Sequence, residues 1–188
     1  MSFLSRLFGS RPTLKKAARE VHDRVVRQAR LPEFYLSGAA ADTLEGRFDM
    51  ASLHAILVMR RLRGEGEDGR DLAQSLFDVM FSNLDHALRE NGVGDTKVAT
   101  RMREMGETFY GQARALDAAL DAESVPAALE AFFARNGPQR AERLNATLAS
   151  YVVRVCEHLD SVEGVELFAG RVSFPAPGGL AAESPERG

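Results

Sequence analysis

From Leu14 to Leu159 apolar residues return every three or four positions, and no segment alternates apolar with polar residues long enough to make a strand. That pattern admits helices packed on helices, so the chain predicts an all-α fold, a single-domain bundle of about six helices. The first runs from a cap at Thr13 through Leu14, Ala17, Ala18, Val21, Val25 and Ala29 to about Arg30, ended by Pro32. Asp49 is expected to cap a second that carries Leu53, Ile56, Leu57 and Leu62 inward and stops at Gly64, with GEGEDGR after it reading as a solvent turn. A third, Asp71 to Glu90, carries Leu72, Leu76, Phe77, Met80, Phe81, Leu84 and Leu88. A fourth opens on a cap at Asp95, a fifth on Ser124 and Pro126, and the last on Pro138 with Leu144, Leu148, Val152, Val155 and Leu159 inward. Leu31 to Asp49 reads as irregular, yet with Phe34, Tyr35, Leu36, Leu44 and Phe48 it is too apolar to stand free in solvent.

At 188 residues the chain suffices for one domain with one real core. A hydrophobic content of 45% beside 27% charged residues places it with globular proteins rather than disordered or membrane-spanning ones. The net charge of -3 names no partner, but its distribution is uneven. Arg6, Arg11, Lys15, Lys16, Arg19, Arg24, Arg27 and Arg30 face only Glu20 and Asp23 in the first thirty positions. This basic stretch suits either a solvated helix face or contact with anionic lipid or RNA. The lone cysteine, Cys156, excludes an intrachain disulfide and a cysteine-based zinc cluster, and fits a reducing compartment. No apolar run has the length to cross a bilayer, and the first residues lack a secretory core, so a cytoplasmic location is expected.

Catalytic and metal sites find no support in the spacing. His22, His54, His86 and His158 sit in no HExxH or Glu-x-x-His setting. Asp78, Asp85, His86 and Glu90 share a helix whose inward face is already taken by Phe77, Met80, Phe81 and Leu84, so they read as its wet face. GEGEDG has no preceding strand and carries three acids, which argues against phosphate binding. Cys156 reads as a core residue. No cofactor, metal or catalytic residue is therefore expected. Met80, Met102 and Met105 with Phe77, Phe81, Phe109, Phe132 and Phe133 suit a core, a minority of them suiting an adaptable groove for an apolar helix.

Two ordered blocks add a family signal. Phe34-Tyr35, Gly38, Asp42-Thr43, Gly46-Arg47-Phe48-Asp49, Leu53-His54, Leu57-Val58 and Arg61-Leu62-Arg63 form the first. Leu76-Phe77-Asp78, Met80-Phe81, Asp85, Leu88-Arg89-Glu90, Gly92-Val93-Gly94-Asp95 and Phe109-Tyr110-Gly111 form the second. Together they resemble the ubiquinol-cytochrome c chaperone family over roughly residues 14–175. The resemblance implies a non-catalytic helical assembly factor that holds newly made cytochrome b, or another respiratory-complex client, while ubiquinol-cytochrome c reductase is assembled. It implies proximity to the ribosome and no DNA partner; mitochondrial relatives act with a small partner protein. Rival readings are a small helical quinone- or lipid-related enzyme, and a peripheral membrane or RNA-binding module.

The expected domain plan is a short basic amphipathic arm over residues 1–12, the helical domain over 13–175 and a disordered tail over 176–188. Tyr35, Arg47, Phe48, Arg60, Arg61 and Arg63 are the candidate partner-binding residues, with Arg47 and Asp49 fixing the loop by ion pairing and capping. The aromatics among them serve equally to close the core. In the arm, Phe3, Leu4, Leu7 and Phe8 suit a lipid interface with Arg6 and Arg11 on anionic headgroups, on the cytoplasmic face of the inner membrane. They suit equally an arm packed on the protein itself.

Overall fold

The computed structural model describes residues 11–90, 92–136 and 142–180. Over these the chain forms eight helices and no strand: α1 (Arg11–Ala29), α2 (Pro32–Leu36), α3 (Leu44–Arg63), α4 (Gly66–Glu90), α5 (Asp95–Leu120), α6 (Val125–Arg135), α7 (Glu142–Asp160) and α8 (Gly164–Phe168). Six are long, as the periodicity predicts.

The centre is α3, which touches α1, α4, α5 and α7. Its sequence SLHAILV is buried at every position from Ser52 to Val58, as befits a helix apolar nearly all round. α1 packs across α3 and α4, while α6 and α7 pair with each other on the far side.

Four helix starts differ from expectation. α1 is already helical at Arg11, so Thr13, its expected cap, lies inside the helix. α3 begins at Leu44 and is capped by Thr43, whose Oγ1 accepts from the Gly46 amide at 3.1 Å; Asp49 lies inside the helix rather than at its N-cap. The earlier start depends on Gly46, because a Cβ there would stand 2.1 Å from the Ala41 carbonyl oxygen. α4 likewise begins at Gly66, so most of GEGEDGR is helix rather than turn. Gly69 permits this: it is buried, and a Cβ on it would lie 2.0 Å from the Leu62 carbonyl oxygen at the end of α3. At α5 the N-cap is Gly94, while Asp95 is the first helical residue and pairs with Arg89. The expected irregular stretch also contains α2, with Phe34 fully buried. Pro138, expected to open the last helix, lies outside the described residues.

The chain stays packed beyond residue 175. Arg24 Nη1 donates to the Val172 carbonyl at 3.2 Å and Arg154 Nη2 to that of Gly178 at 3.3 Å, while Val172, Pro177 and Leu180 are buried. The first five residues of the expected tail thus lie against α7.

Candidate functional site

The most polar feature of the core is sealed. His54 Nδ1 lies 2.7 Å from the Met50 carbonyl and Nε2 lies 2.7 Å from Tyr151 Oη. A carbonyl only accepts, so the proton sits on Nδ1, and Tyr151 donates to Nε2. Gln28 Nε2 in turn donates to Tyr151 Oη and to the Pro175 carbonyl, both at 2.9 Å. Phe34 and Phe174 meet the imidazole edge-on, with centroids 5.6 and 5.2 Å away. Burial pushes His54 down to about 4 and the Tyr151 hydroxyl well above its ordinary value, so both stay neutral. This chain of bonds ties α1, α3, α7 and the 171–180 segment together. It opens to none of the cavities that follow. Leu53-His54 belongs to the first family block, but His54 sits in no catalytic or metal-ligand spacing that would single it out. The available signal was a titratable residue inside a run otherwise apolar on all sides, which must find a buried partner.

The sequence-predicted partner residues fall in two places. Near the start of α3, Arg47 pairs with Asp42 at 2.7 Å and stands 5.8 Å from the Tyr35 ring, whose hydroxyl donates to the Ala29 carbonyl. Arg47 thus makes its expected ion pair, and Asp49 instead accepts from Gln112 Nε2 at 3.1 Å. Phe48 points inward, edge-on to Phe81. At the other end of α3, the arginines divide. Arg60 and Arg63 reach across to Asp117 on α5, and Arg60 also to Asp121. Arg61 is the most enclosed; it donates to the Leu159 and Val162 carbonyls at 3.1 and 3.0 Å and pairs with Glu65. It holds the end of α7 in place rather than standing free as a partner-binding side chain. They border a cavity of about 440 Å³ with Cys156 in its wall. Burial lifts that thiol to about 11, so it is protonated and a poor nucleophile. Phe3, Leu4, Arg6, Leu7 and Phe8 lie outside the described residues, and for Arg11 only its place at the head of α1 is described.

An accessible apolar surface follows from how lightly α5 is seated. Only Val98, Phe109, Leu116 and Ala119 of its 26 residues are buried. Along its junction with α4, Phe77 and Phe81 stack at 4.3 Å, Phe109 meets both edge-on, and Tyr110, 54% exposed, lies 5.4 Å from Phe77. Two hollows share Phe77 and Tyr110. One, about 220 Å³, runs past Met59 towards Arg63 and Arg70; the other, about 450 Å³, runs past Met102 and Gly106 towards Arg103 and Arg114. Glu107 is the single acidic residue lining either. Arg70, Arg103 and Arg114 make no ion pair among the described residues, so the groove is aromatic and thioether-lined with free cations on its rim. An apolar helix entering it would bury rings and methyl groups and meet guanidinium donors at its polar ends. Among the described residues no His, Cys, Asp and Glu side chains are grouped to hold a metal ion, and no helix is long and apolar enough to cross a membrane.

Residues 38–174 match the family model described as Ubiquinol-cytochrome C chaperone. The human protein named ubiquinol-cytochrome c reductase complex assembly factor 1 is 27% identical over 180 residues, covering 93% of this chain and 59% of its own length. Its mouse counterpart is 25% identical over 169 residues, covering 89% and 57%. The Xenopus laevis counterpart is 24% identical, covering 89% and 84%. The chain therefore spans a little under three fifths of the human and mouse relatives. The crystal structure of the Cbp3 homolog from Brucella abortus superposes with a TM-score of 0.78 at 32% identity, covering 94% of this chain and 98% of that one.

Proposed function

Because the chain belongs to the ubiquinol-cytochrome c chaperone family, a family of complex III assembly factors, we propose that it is a non-catalytic chaperone for newly made cytochrome b. The observation that carries the reading is the open groove between α4 and α5, in which Phe77, Phe81, Met102 and Tyr110 lie accessible beside unpaired Arg70, Arg103 and Arg114. A transmembrane segment outside the bilayer has apolar side chains on every face and polar groups at its ends. Aromatic and thioether walls adapt to many apolar shapes, and the arginines supply donors where the segment becomes polar. Such a grip is reversible, because few residues are fully enclosed, and release to the next subunit requires that. Holding takes no bond-making step. The client emerges at the inner face of the membrane near the ribosome, and the basic arm, with Phe3, Leu4, Leu7 and Phe8, would favour that location.

Gly106 supplies the test. A Cβ there meets only Phe81 Cε1 at 3.7 Å, so Gly106→Glu fits α5 while placing a carboxylate on the groove floor. Because Glu is a better helix former than Gly, stability should hold or rise, by up to about 1 kcal/mol. Pulldown of cytochrome b and the level of assembled reductase in a complemented deletion strain should both fall. Normal assembly with this variant would reject the groove as the client site.

A further inference from the structure

The rim of the α4–α5 groove is charged unequally along its length. α4 and α5 run in opposite directions, so Phe81 stands by Gly106 and Phe77 by Tyr110, and Ala73 and Ala113 line the same hollow beyond them. At the end nearer Ala113 the wall carries Arg63, Arg70 and Arg114 and no acid. At the end nearer Met102 it carries Arg103 and Glu107. Asp117 pairs with Arg63, but Arg70, Arg103, Arg114 and Glu107 make no ion pair among the described residues. One end therefore presents two free cations, and the other sets one cation against one carboxylate. Exposed Glu67 and Asp71 near the first end and Glu104 near the second line neither hollow. On the other side of α5, a cleft of about 300 Å³ has its carboxylates engaged, Glu45 with Arg101 and Asp49 with Gln112.

We infer that the groove holds an apolar helix in one direction, with its acid-bearing end against Arg70 and Arg114 and its neutral or basic end against Glu107. The inference rests on the groove being the client site. From Arg103 to Arg114 α5 rises about 16 Å, three turns of a helix lying alongside, so the two ends of a bound segment meet different rims. Exposed charges of this kind add little affinity, yet they fix the register of an occupant and penalise the reversed one. Membrane segments offer a difference to read, because Lys and Arg gather on their cytoplasmic flank. Such a segment would lie with its basic flank towards Glu107.

The chain contains no Trp, so a sole indole can be set at either end of the groove in the full-length chain, by Gln74→Trp near Arg70 or by Met102→Trp near Glu107. The probe is a Trp-free synthetic helix of Leu and Gln, blocked at both termini, with two Glu at one end and two Lys at the other. It carries a nitroxide quencher on one end at a time. A nitroxide on the Glu end should quench the Gln74→Trp reporter more than the Met102→Trp reporter, and moving it to the Lys end should reverse the order. Arg70→Gln with Arg114→Gln should weaken this helix by about three- to tenfold, the loss of two exposed ion pairs, and leave an uncharged Leu/Gln helix unaffected. Gly106→Glu should abolish binding of both. Saturable binding with equal quenching from the two ends overturns the inference and leaves the groove as the client site, whereas absence of saturable binding overturns both. Loss of binding as the chain self-associates at higher concentration would assign the groove to a second copy and overturn the inference as well. If Trp disturbs the fold, anisotropy of a fluorescein-labelled helix bearing only the two Glu decides with Gln74 and Met102 retained. Arg70→Gln with Arg114→Gln should weaken it while Glu107→Gln leaves it unchanged, and strengthening by Glu107→Gln overturns the inference.

Discussion

The layer around α3 and the flank carried by α5 are built from the same residue types, yet they are packed to different ends. Every residue from Ser52 to Val58 on α3 is buried, and its one titratable member is held by Met50, Tyr151 and, through Tyr151, Gln28. α5 is longer but buries four residues, leaving a hollow on each side of it. The difference shows where rigidity and access are located: polar bonds inside the first region specify one arrangement, while incomplete cover on the second leaves apolar surface for partners. Substitutions should therefore cost stability in the first region and binding in the second.

The largest effect is expected from His54→Ala. It leaves a cavity in the most enclosed part of the core and strips Tyr151 of its acceptor, a combination that should destabilise by about 3–5 kcal/mol. Urea unfolding measures it, and a loss below about 1 kcal/mol would mean the α3 layer is no tighter than the α5 flank. Acid should produce a slightly smaller loss through the same residue. His54 titrates near 6.5 when unfolded and at about 4 when folded, so the unfolded chain takes up the proton first. Its contribution is fully present above about pH 6.5 and declines as pH falls towards 4, by about 3 kcal/mol in all. His22, also pushed down by burial, acts in the same direction. His54→Gln should remove most of the slope between those limits, and an unchanged slope would assign it to other groups.

Much of the layered region was legible from sequence, because a 3.6-residue phase survives wherever a helix faces a core. The helix starts were less so. Asp49 and Thr43 are both good caps, and the choice of Thr43 turns on a contact of Gly46 with Ala41 that no period reveals. GEGEDGR has turn composition, yet Gly69 is there to let α4 meet Leu62. The His54 network joins residues as far as 147 positions apart, and Arg60 and Arg63 find Asp117 more than 50 positions away. The candidate groove was half legible: Phe77, Phe81, Met102 and Phe109 have core spacing, and only the limited contact of α4 with α5 decides which rings stay accessible.

The arginines that end α3 sharpen the comparison, because neighbours in sequence belong to different regions. Arg61→Ala should cost about 2 kcal/mol, since it abandons the Leu159 and Val162 carbonyls in a largely enclosed place. Arg63→Ala, on the exposed side towards α5, should cost no more than about 0.5 kcal/mol. Thermal unfolding of the two variants should rank them in that order, and equal losses would erase the proposed boundary between the layers.

Tyr110→Ala should have the smallest effect on stability and a clear one on function. Its ring is more than half exposed and touches Phe77 and Phe109, so removing it should cost less than about 1 kcal/mol. The same ring borders both hollows of the α4–α5 groove, where it would lie over the middle of a bound apolar helix. Aromatic anchors at the centre of a contact commonly carry a large share of the binding energy, so retention of cytochrome b should fall by about tenfold or more. Phe174→Ala provides the matching control in the other region: it removes an aromatic ring that packs on His54 and lines neither hollow. That variant should lose more stability than Tyr110→Ala yet hold the client normally under conditions where it remains folded. If Tyr110→Ala retains cytochrome b as well as Phe174→Ala does, exposure on α5 is incidental and the client is held elsewhere.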